Sequence, residues 1–283
     1  MINGSVGFLD LLELEQIEVN IFRGMRLETD RTRVFGGHVA AQALVAANST
    51  VEQGRVHSLH AYFLRPGDPA IPILYEVDRI RDGRSFTTRR VVAIQHGRAI
   101  FNLACSFHSD EAGLEHQDAM PDVPDPDSLP PSLPVPPDPA VGAPLTYVAG
   151  NGLEIRYVNG APWESDREPS EHEQLWVRAN GPLGDEPMLH TAIATFLSDL
   201  TLVGTILRRH GISAWGRTFF AASLDHCMWF HRPFRVDDWL FYDQTSPAAY
   251  GARGLSQGRM FTRDGTLVAS VAQEGLLRLD LPA

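Results

Sequence analysis

The chain contains one supersecondary pattern twice. Val56-His57-Ser58-Leu59-His60-Ala61-Tyr62-Phe63-Leu64-Arg65-Pro66 in the first half aligns with Ser223-Leu224-Asp225-His226-Cys227-Met228-Trp229-Phe230-His231-Arg232-Pro233 in the second. Further on, His96-Gly97-Arg98 through Phe107 aligns with Asp264-Gly265-Thr266 through Gly275. A repeat of this kind restricts the fold to one module built twice. It also supplies an internal control. Where the two copies diverge in chemistry rather than in size, one copy carries a group that the fold does not need.

Both halves have the same order of elements. In the first, a short strand near Ile17–Arg23 precedes Phe35-Gly36-Gly37 and an apolar helix from about His38 to Ala47; strands follow near 56–64, 71–80, 85–95 and 99–107. In the second, strands near 152–158 and 173–179 precede a helix from about Leu189 to Leu207, and strands follow near 219–231, 238–245, 250–262 and 266–278. Asp82-Gly83, His96-Gly97 and Asp264-Gly265 read as hairpin turns, so the strands are expected to pair antiparallel. Both helices are apolar nearly all round, which predicts burial. A long central helix wrapped by an antiparallel sheet is the hotdog architecture. The expected class is therefore α+β, a double hotdog of two sheets, each around one helix. Ten of the twenty prolines fall between Pro121 and Pro144. That stretch reads as an extended connector, giving modules at 1–118 and 149–283 joined by 119–148.

Composition excludes several classes. A net charge of −11 argues against a nucleic-acid partner. All 24 basic residues are arginine, so neither a Schiff-base lysine nor a phosphate-loop lysine is possible, and any ligand phosphate must be met by arginine or backbone amides. No run of 18 apolar residues suggests a membrane span. Acids at Asp10, Glu13 and Glu15 speak against a secretory leader at the N-terminus. The two cysteines, Cys105 and Cys227, lie in apolar runs and read as reduced thiols of a cytoplasmic protein. No metal motif is evident, and no cofactor is expected.

Three polar positions in the second half stand out. Asp199 lies inside the apolar helix, Ser223 opens a strand, and Gln273 is in phase with Leu267, Ala269 and Val271 on the last strand. The first half has Val56 opposite Ser223, Cys105 opposite Gln273, and no carboxylate between Phe35 and Asn48. From the residues alone two readings stand: a buried set that satisfies its own hydrogen bonds, or a catalytic set. Gly254-Leu255-Ser256-Gln257-Gly258 matches the serine-hydrolase string G-x-S-x-G. A nucleophile elbow requires a helix after the serine and a later histidine; here a strand follows, and the last histidine is His231, so the match is read as chance.

The strings Arg33-Val34-Phe35-Gly36-Gly37-His38-Val39, His57 through Asp68, Asp225 through Pro233 and Leu267 through Gly275 resemble the acyl-CoA thioesterase II family (the TesB type), from about residue 8 to residue 278. The resemblance implies a double hotdog and hydrolysis of acyl-CoA, with medium or long acyl chains as substrates. It implies a catalytic aspartate, threonine and glutamine at the positions of Asp199, Ser223 and Gln273, with serine standing here for threonine. The hydroxyl is kept and the χ1-restricting methyl is lost. In that chemistry Asp199 accepts the proton of an attacking water, Ser223 and Gln273 hold the water, and backbone amides stabilise the oxyanion. Gly36 and Gly37, at a helix N-terminus, are candidates for those amides, or else glycines that allow tight packing. A homo-oligomer is expected, because sheets of this kind pair at their edges. The rival readings are a non-catalytic acyl-CoA binder and a hotdog enoyl-CoA hydratase.

Other polar residues receive plainer readings. His38 is expected to be a packed histidine, and His57, His60, His226 and His231 to face the sheet. Arg65 and Arg232, each before a proline, are expected to end strands tied to carboxylates. Arg89, Arg90, Arg208 and Arg209 are candidates for coenzyme A phosphates, with solvated surface arginine as the plainer reading of each.

Overall fold

A computed structural model of the chain describes residues 10, 12–25, 33–131, 152–164, 168–213 and 219–279. Two compact units interleave along the sequence. One comprises Met1–His116, Gly184–Leu197 and Asp225–Phe230; the other comprises Gln117–Leu183, Ser198–Leu224 and His231–Ala283.

The first unit contains β1 (Leu14–Glu18), β2 (Ile21–Gly24), α1 (Gly36–Asn48), β3 (Arg55–Phe63), β4 (Ile73–Asp82), β5 (Phe86–Gln95) and β6 (Arg98–His108). The strand expected near Ile17–Arg23 is a hairpin of two, because the chain reverses at Val19-Asn20. Strand order is β1-β2-β4-β5-β6-β3, with β10 (Asp225–Phe230) beside β3, and these neighbours pair antiparallel. The β5–β6 turn places His96 and Gly97 both at positive φ, 49° and 68°. That geometry matches the twist of the flanking strands and favours glycine at the second position.

Helix α1 lies on β5, β6 and β4 and buries Val39, Ala40, Ala43, Leu44 and Ala47. Small residues dominate that list, which lets the helix sit close to the sheet. Its C-terminal end is fixed by Arg89, whose Nε donates to Thr50 Oγ1 at 2.8 Å and whose Nη2 donates to the Thr50 carbonyl at 3.0 Å.

The second unit contains β7 (Leu153–Tyr157), β8 (His172–Ala179), α3 (Leu202–Arg209), β9 (Phe219–Ser223), β11 (Leu240–Tyr250), β12 (Arg253–Thr262) and β13 (Leu267–Leu279). Its strand order is β13-β12-β11-β8-β7, with β9 also paired to β13, and the pairings are antiparallel. Helix α3 packs on β11, β12 and β13.

Two expectations change here. The single strand expected over 219–231 is two strands, β9 and β10, interrupted at Leu224. The single helix expected over 189–207 is α2 (Pro187–Ser198) and α3, interrupted at Asp199-Leu200-Thr201. Pro187–Arg209, 23 residues, is long and apolar enough by composition to cross a membrane, but 72% of its most apolar window is buried inside the protein. It is core helix, broken where the carboxylate stands.

The connector is described as far as residue 131. It is extended except for one 3₁₀ turn, Pro126–Ser128, which Asp125 caps by accepting from Asp127 N–H. Met120, Val123 and Leu129 pack on the buried cluster of Trp176, Trp239, Phe241 and Phe261. The Trp176 indole donates to the Pro124 carbonyl at 3.0 Å, and Arg263 pairs with Asp125 and Asp127. The remainder of the connector lies outside the described residues.

Candidate active site

Antiparallel register brings the site together. Ser223 on β9 faces Gly275 on β13, which places Ser223 diagonally across from Gln273, two residues away on the same face. Asp199 comes to them from the helix break. The Ser223 hydroxyl donates to Asp199 Oδ1 at 2.9 Å, and the Gln273 amide donates to Ser223 Oγ at 2.9 Å. Gln273 is 1% exposed and Asp199 7%. The three predicted polar groups are thus one hydrogen-bonded chain inside the second unit, running from amide to hydroxyl to carboxylate.

The first unit reproduces this register without the chemistry. Val56 faces Phe107 across β3 and β6, and Cys105 is two residues from Phe107 on the same face. Both are buried, at 5% and 2% exposure. Burial pushes the Cys105 thiol up to about 12, outweighing the nearby Arg89 charge. Helix α1 runs unbroken through Gly36–Asn48. The duplicated fold therefore closes equally well over a valine and a thiol.

Gly36 and Gly37 belong to the first unit, at the first turn of α1. A Cβ on Gly37 would come within 2.6 Å of the Phe196 carbonyl oxygen and 2.6 Å of the Phe35 ring. Phe35 and Phe196 meet edge to face at 4.9 Å. Close packing alone is sufficient to require glycine at position 37.

His38 is a packed histidine. It is buried, and desolvation lowers it to about 4 despite a hydrogen bond with Gln42. His60 is exposed and meets Trp229 edge to face, His226 is buried, and His57 sits among Phe86 and His108. His231 bonds Ser270 Oγ at 2.9 Å. Among the described residues, neither Arg65 nor Arg232 binds a carboxylate. They donate to the carbonyls of Ala99 and Leu267, equivalent positions in the two copies.

Of the arginines considered for phosphate, Arg89 is 1% exposed and spends its donors on Thr50, Arg81, Thr88 and Asp82. It is structural, not a surface group. Arg208 is buried as well. Arg90 pairs with Asp78 and Arg209 with Glu171 at exposed positions.

Sequence reasoning missed Tyr242, Gln244 and Ser256, which hold the helix break at Asp199. Their trace in the sequence is polar side chains in strands that otherwise read as core. Tyr242 and Gln244 alternate on β11, and Ser256 lies between Gly254 and Gly258 in the G-x-S-x-G string.

Known proteins share this sequence and fold. The family model described as acyl-CoA thioesterase matches residues 164–276, and that of the acyl-CoA thioesterase N-terminal domain matches residues 27–108. Human acyl-coenzyme A thioesterase 8 is 40% identical, across 97% of this chain and 90% of the relative. The crystal structure of acyl-CoA thioesterase II TesB2 from Mycobacterium marinum is 45% identical and superposes with a TM-score of 0.77, covering 95% of this chain and 97% of that one. A hot dog fold protein of unknown function from Alicyclobacillus acidocaldarius, 20% identical, superposes with a TM-score of 0.77 over 97% of this chain and 98% of its own, a likeness of fold alone.

Proposed function

This chain belongs to the acyl-CoA thioesterase family, and we propose that it hydrolyses acyl-CoA with a water activated by Asp199, Ser223 and Gln273. The observation that carries the residue assignment is the asymmetry of the repeat. Asp199, Ser223 and Gln273 are joined by two 2.9 Å hydrogen bonds, whereas the equivalent positions of the first unit hold Val56 and Cys105. A set retained only to close the core would not be needed, since the same register closes without it.

The chemistry follows from the donors and acceptors. An ionised carboxylate is acceptor-only, and a primary amide has two N–H groups and one carbonyl. Asp199 takes a proton from water as the water oxygen attacks the thioester carbonyl carbon. The carbon–sulfur bond then breaks, the acyl group leaves as a fatty acid, and the proton held by Asp199 returns to the coenzyme A thiolate. Ser223, fixed by Gln273 on one side and Asp199 on the other, orients the water. Holding reactants in this way contributes as much as the proton transfer itself. We read the architecture as a double hotdog, with modules 1–118 and 149–283 joined by 119–148, and medium or long acyl chains as substrates.

The test is thiol release from a series of acyl-CoAs by the wild type and by Asp199→Asn. Loss of a general base lowers kcat by about 10²-fold or more. Equal turnover in the two proteins would remove Asp199 from the mechanism. Hydration of an enoyl-CoA without thiol release would favour a hydratase, and binding without turnover a carrier.

A further inference from the structure

A buried run of apolar helix does not break without cause. At Asp199-Leu200-Thr201 the break leaves backbone groups that need partners away from water. Three side chains from β11 and β12 reach this segment, two bonding backbone carbonyls and one the threonine hydroxyls. The Tyr242 hydroxyl donates to the Ser198 carbonyl at 3.1 Å. Two residues along, the Gln244 amide bonds the Thr201 hydroxyl at 2.7 Å and accepts from Thr205 Oγ1 at 2.8 Å. The Ser256 hydroxyl donates to the Leu202 carbonyl at 2.8 Å. Tyr242, Gln244 and Ser256 are all buried.

Glycines make this approach possible. A Cβ on Gly258 would come within 2.4 Å of the Tyr242 ring, and one on Gly254 within 2.7 Å of Ile206 on α3. Gly275, in register with Gly254, would meet Val203 of α3 at 3.1 Å. All three fixed positions of Gly254-Leu255-Ser256-Gln257-Gly258 are therefore used. One glycine seats α3, the serine holds its first carbonyl, and the other glycine receives the Tyr242 ring. The first unit's counterpart of Gly275 is Phe107, and its helix is unbroken.

We propose that Tyr242, Gln244 and Ser256 are positioning residues of the hydrolase: together they impose the helix break that brings the Asp199 carboxylate onto Ser223. This rests on the reading of Asp199 as the water-activating base. The residues flanking Asp199 on both sides are clamped to β11 and β12, and its partners Ser223 and Gln273 are carried by β9 and β13. Sheet and carboxylate are thereby held in one frame. A displacement on the order of 1 Å there is enough to lower turnover by about 10²-fold.

The experiment places Tyr242→Phe and Ser256→Ala each in the wild type and in Asp199→Asn, reading kcat and KM by thiol release and the unfolding midpoint by heat. In the wild type, Tyr242→Phe lowers kcat about 10-fold or more, with KM changed less than about 3-fold. In Asp199→Asn it lowers kcat less than about 2-fold, because groups that act as a unit are not additive. A merely structural tyrosine would give the same loss in both backgrounds, and that result overturns the proposal. So does full kcat in both Tyr242→Phe and Ser256→Ala while Asp199→Asn is crippled. Full turnover in Asp199→Asn instead defeats the base assignment beneath it. If Tyr242→Phe does not accumulate as folded protein, Ser256→Ala carries the same comparison.

Discussion

Gln273 donates to Ser223 Oγ at 2.9 Å along a diagonal of the β9–β13 ladder, and the same diagonal of the β3–β6 ladder is occupied by Cys105 and Val56. One scaffold thus holds an amide–hydroxyl pair in one copy and an apolar pair in the other. The difference separates what the fold requires from what the chemistry requires, and it makes the role of each group measurable.

Ser223 is the first case. Ser223→Ala removes both the donor to Asp199 and the acceptor for Gln273, leaving a buried amide and carboxylate without their link. A fall in kcat of about 10- to 10²-fold is expected, the range of a lost positioning and hydrogen-bonding group. Ser223→Thr restores the hydroxyl with a stiffer χ1 and should stay within a few-fold of wild type. Steady-state thiol release checks both; a threonine variant as inactive as the alanine one would show that space, not hydrogen bonding, governs this position.

The reverse exchange tests the internal control. Val56→Ser and Cys105→Gln put a hydroxyl and an amide where the first unit buries apolar groups. Each should lower the free energy of unfolding by about 1–3 kcal/mol, the cost of burying an unsatisfied polar group. The pair should add no turnover in an Asp199→Asn background, because Gly36–Asn48 contains no carboxylate. Urea unfolding and thiol release measure the two halves of this expectation. Recovered turnover would mean that the carboxylate is dispensable.

The repeat made the fold legible. The strands of both units, the two hairpin turns at His96-Gly97 and Asp264-Gly265, and the burial of α1 follow from alternation and from residues that tolerate positive φ. The three polar groups were legible because their counterparts are valine, cysteine and no carboxylate at all. The helix break was not. Leu189 through Leu207 is apolar enough for one helix by local pattern, and what interrupts it comes from Tyr242 and Ser256, far along the chain. Likewise Arg89 looks like any surface arginine in sequence. Only the folded sheet shows its guanidinium turned inward onto Thr50. Long-range partners decide such positions, and the local pattern of the helix itself does not carry them.

His38 gives the protein a pH dependence of known sign. Desolvation lowers it from 6.5 to about 4 in the folded state. Between those values the unfolded chain binds a proton that the folded chain does not, so stability is full above pH 6.5 and is lost as pH falls toward 4. The contribution is roughly 3 kcal/mol, at 1.36 kcal/mol per pKa unit. His57 and His231, also lowered by burial, act in the same direction. Asp237, held at about 2 by Arg235, stabilises fully above its ordinary 3.8 and loses that contribution only as pH falls from 3.8 toward 2, below the window tested. Urea unfolding at pH 7, 5.5 and 4 should show a shallower pH dependence in His38→Gln than in wild type, and equal slopes would take His38 out of the account.

The two cysteines should differ in reactivity although neither is in a disulfide. The thiolate is the reactive species. Cys105 is buried and raised to about 12, whereas Cys227 on β10 is half-buried and raised by burial and then by Asp225. At pH 8 a thiol titrating near 12 is ionised in only about one molecule in 10⁴, and burial blocks the reagent as well. Ellman's reagent should therefore modify Cys227 first in the native protein and reach Cys105 only on unfolding. Cys227→Ser should lose nearly all native reactivity and regain one thiol in urea. Rapid native labelling of Cys227→Ser would mean that the sheet opens at Cys105, the position whose counterpart Gln273 holds Ser223 in the second unit.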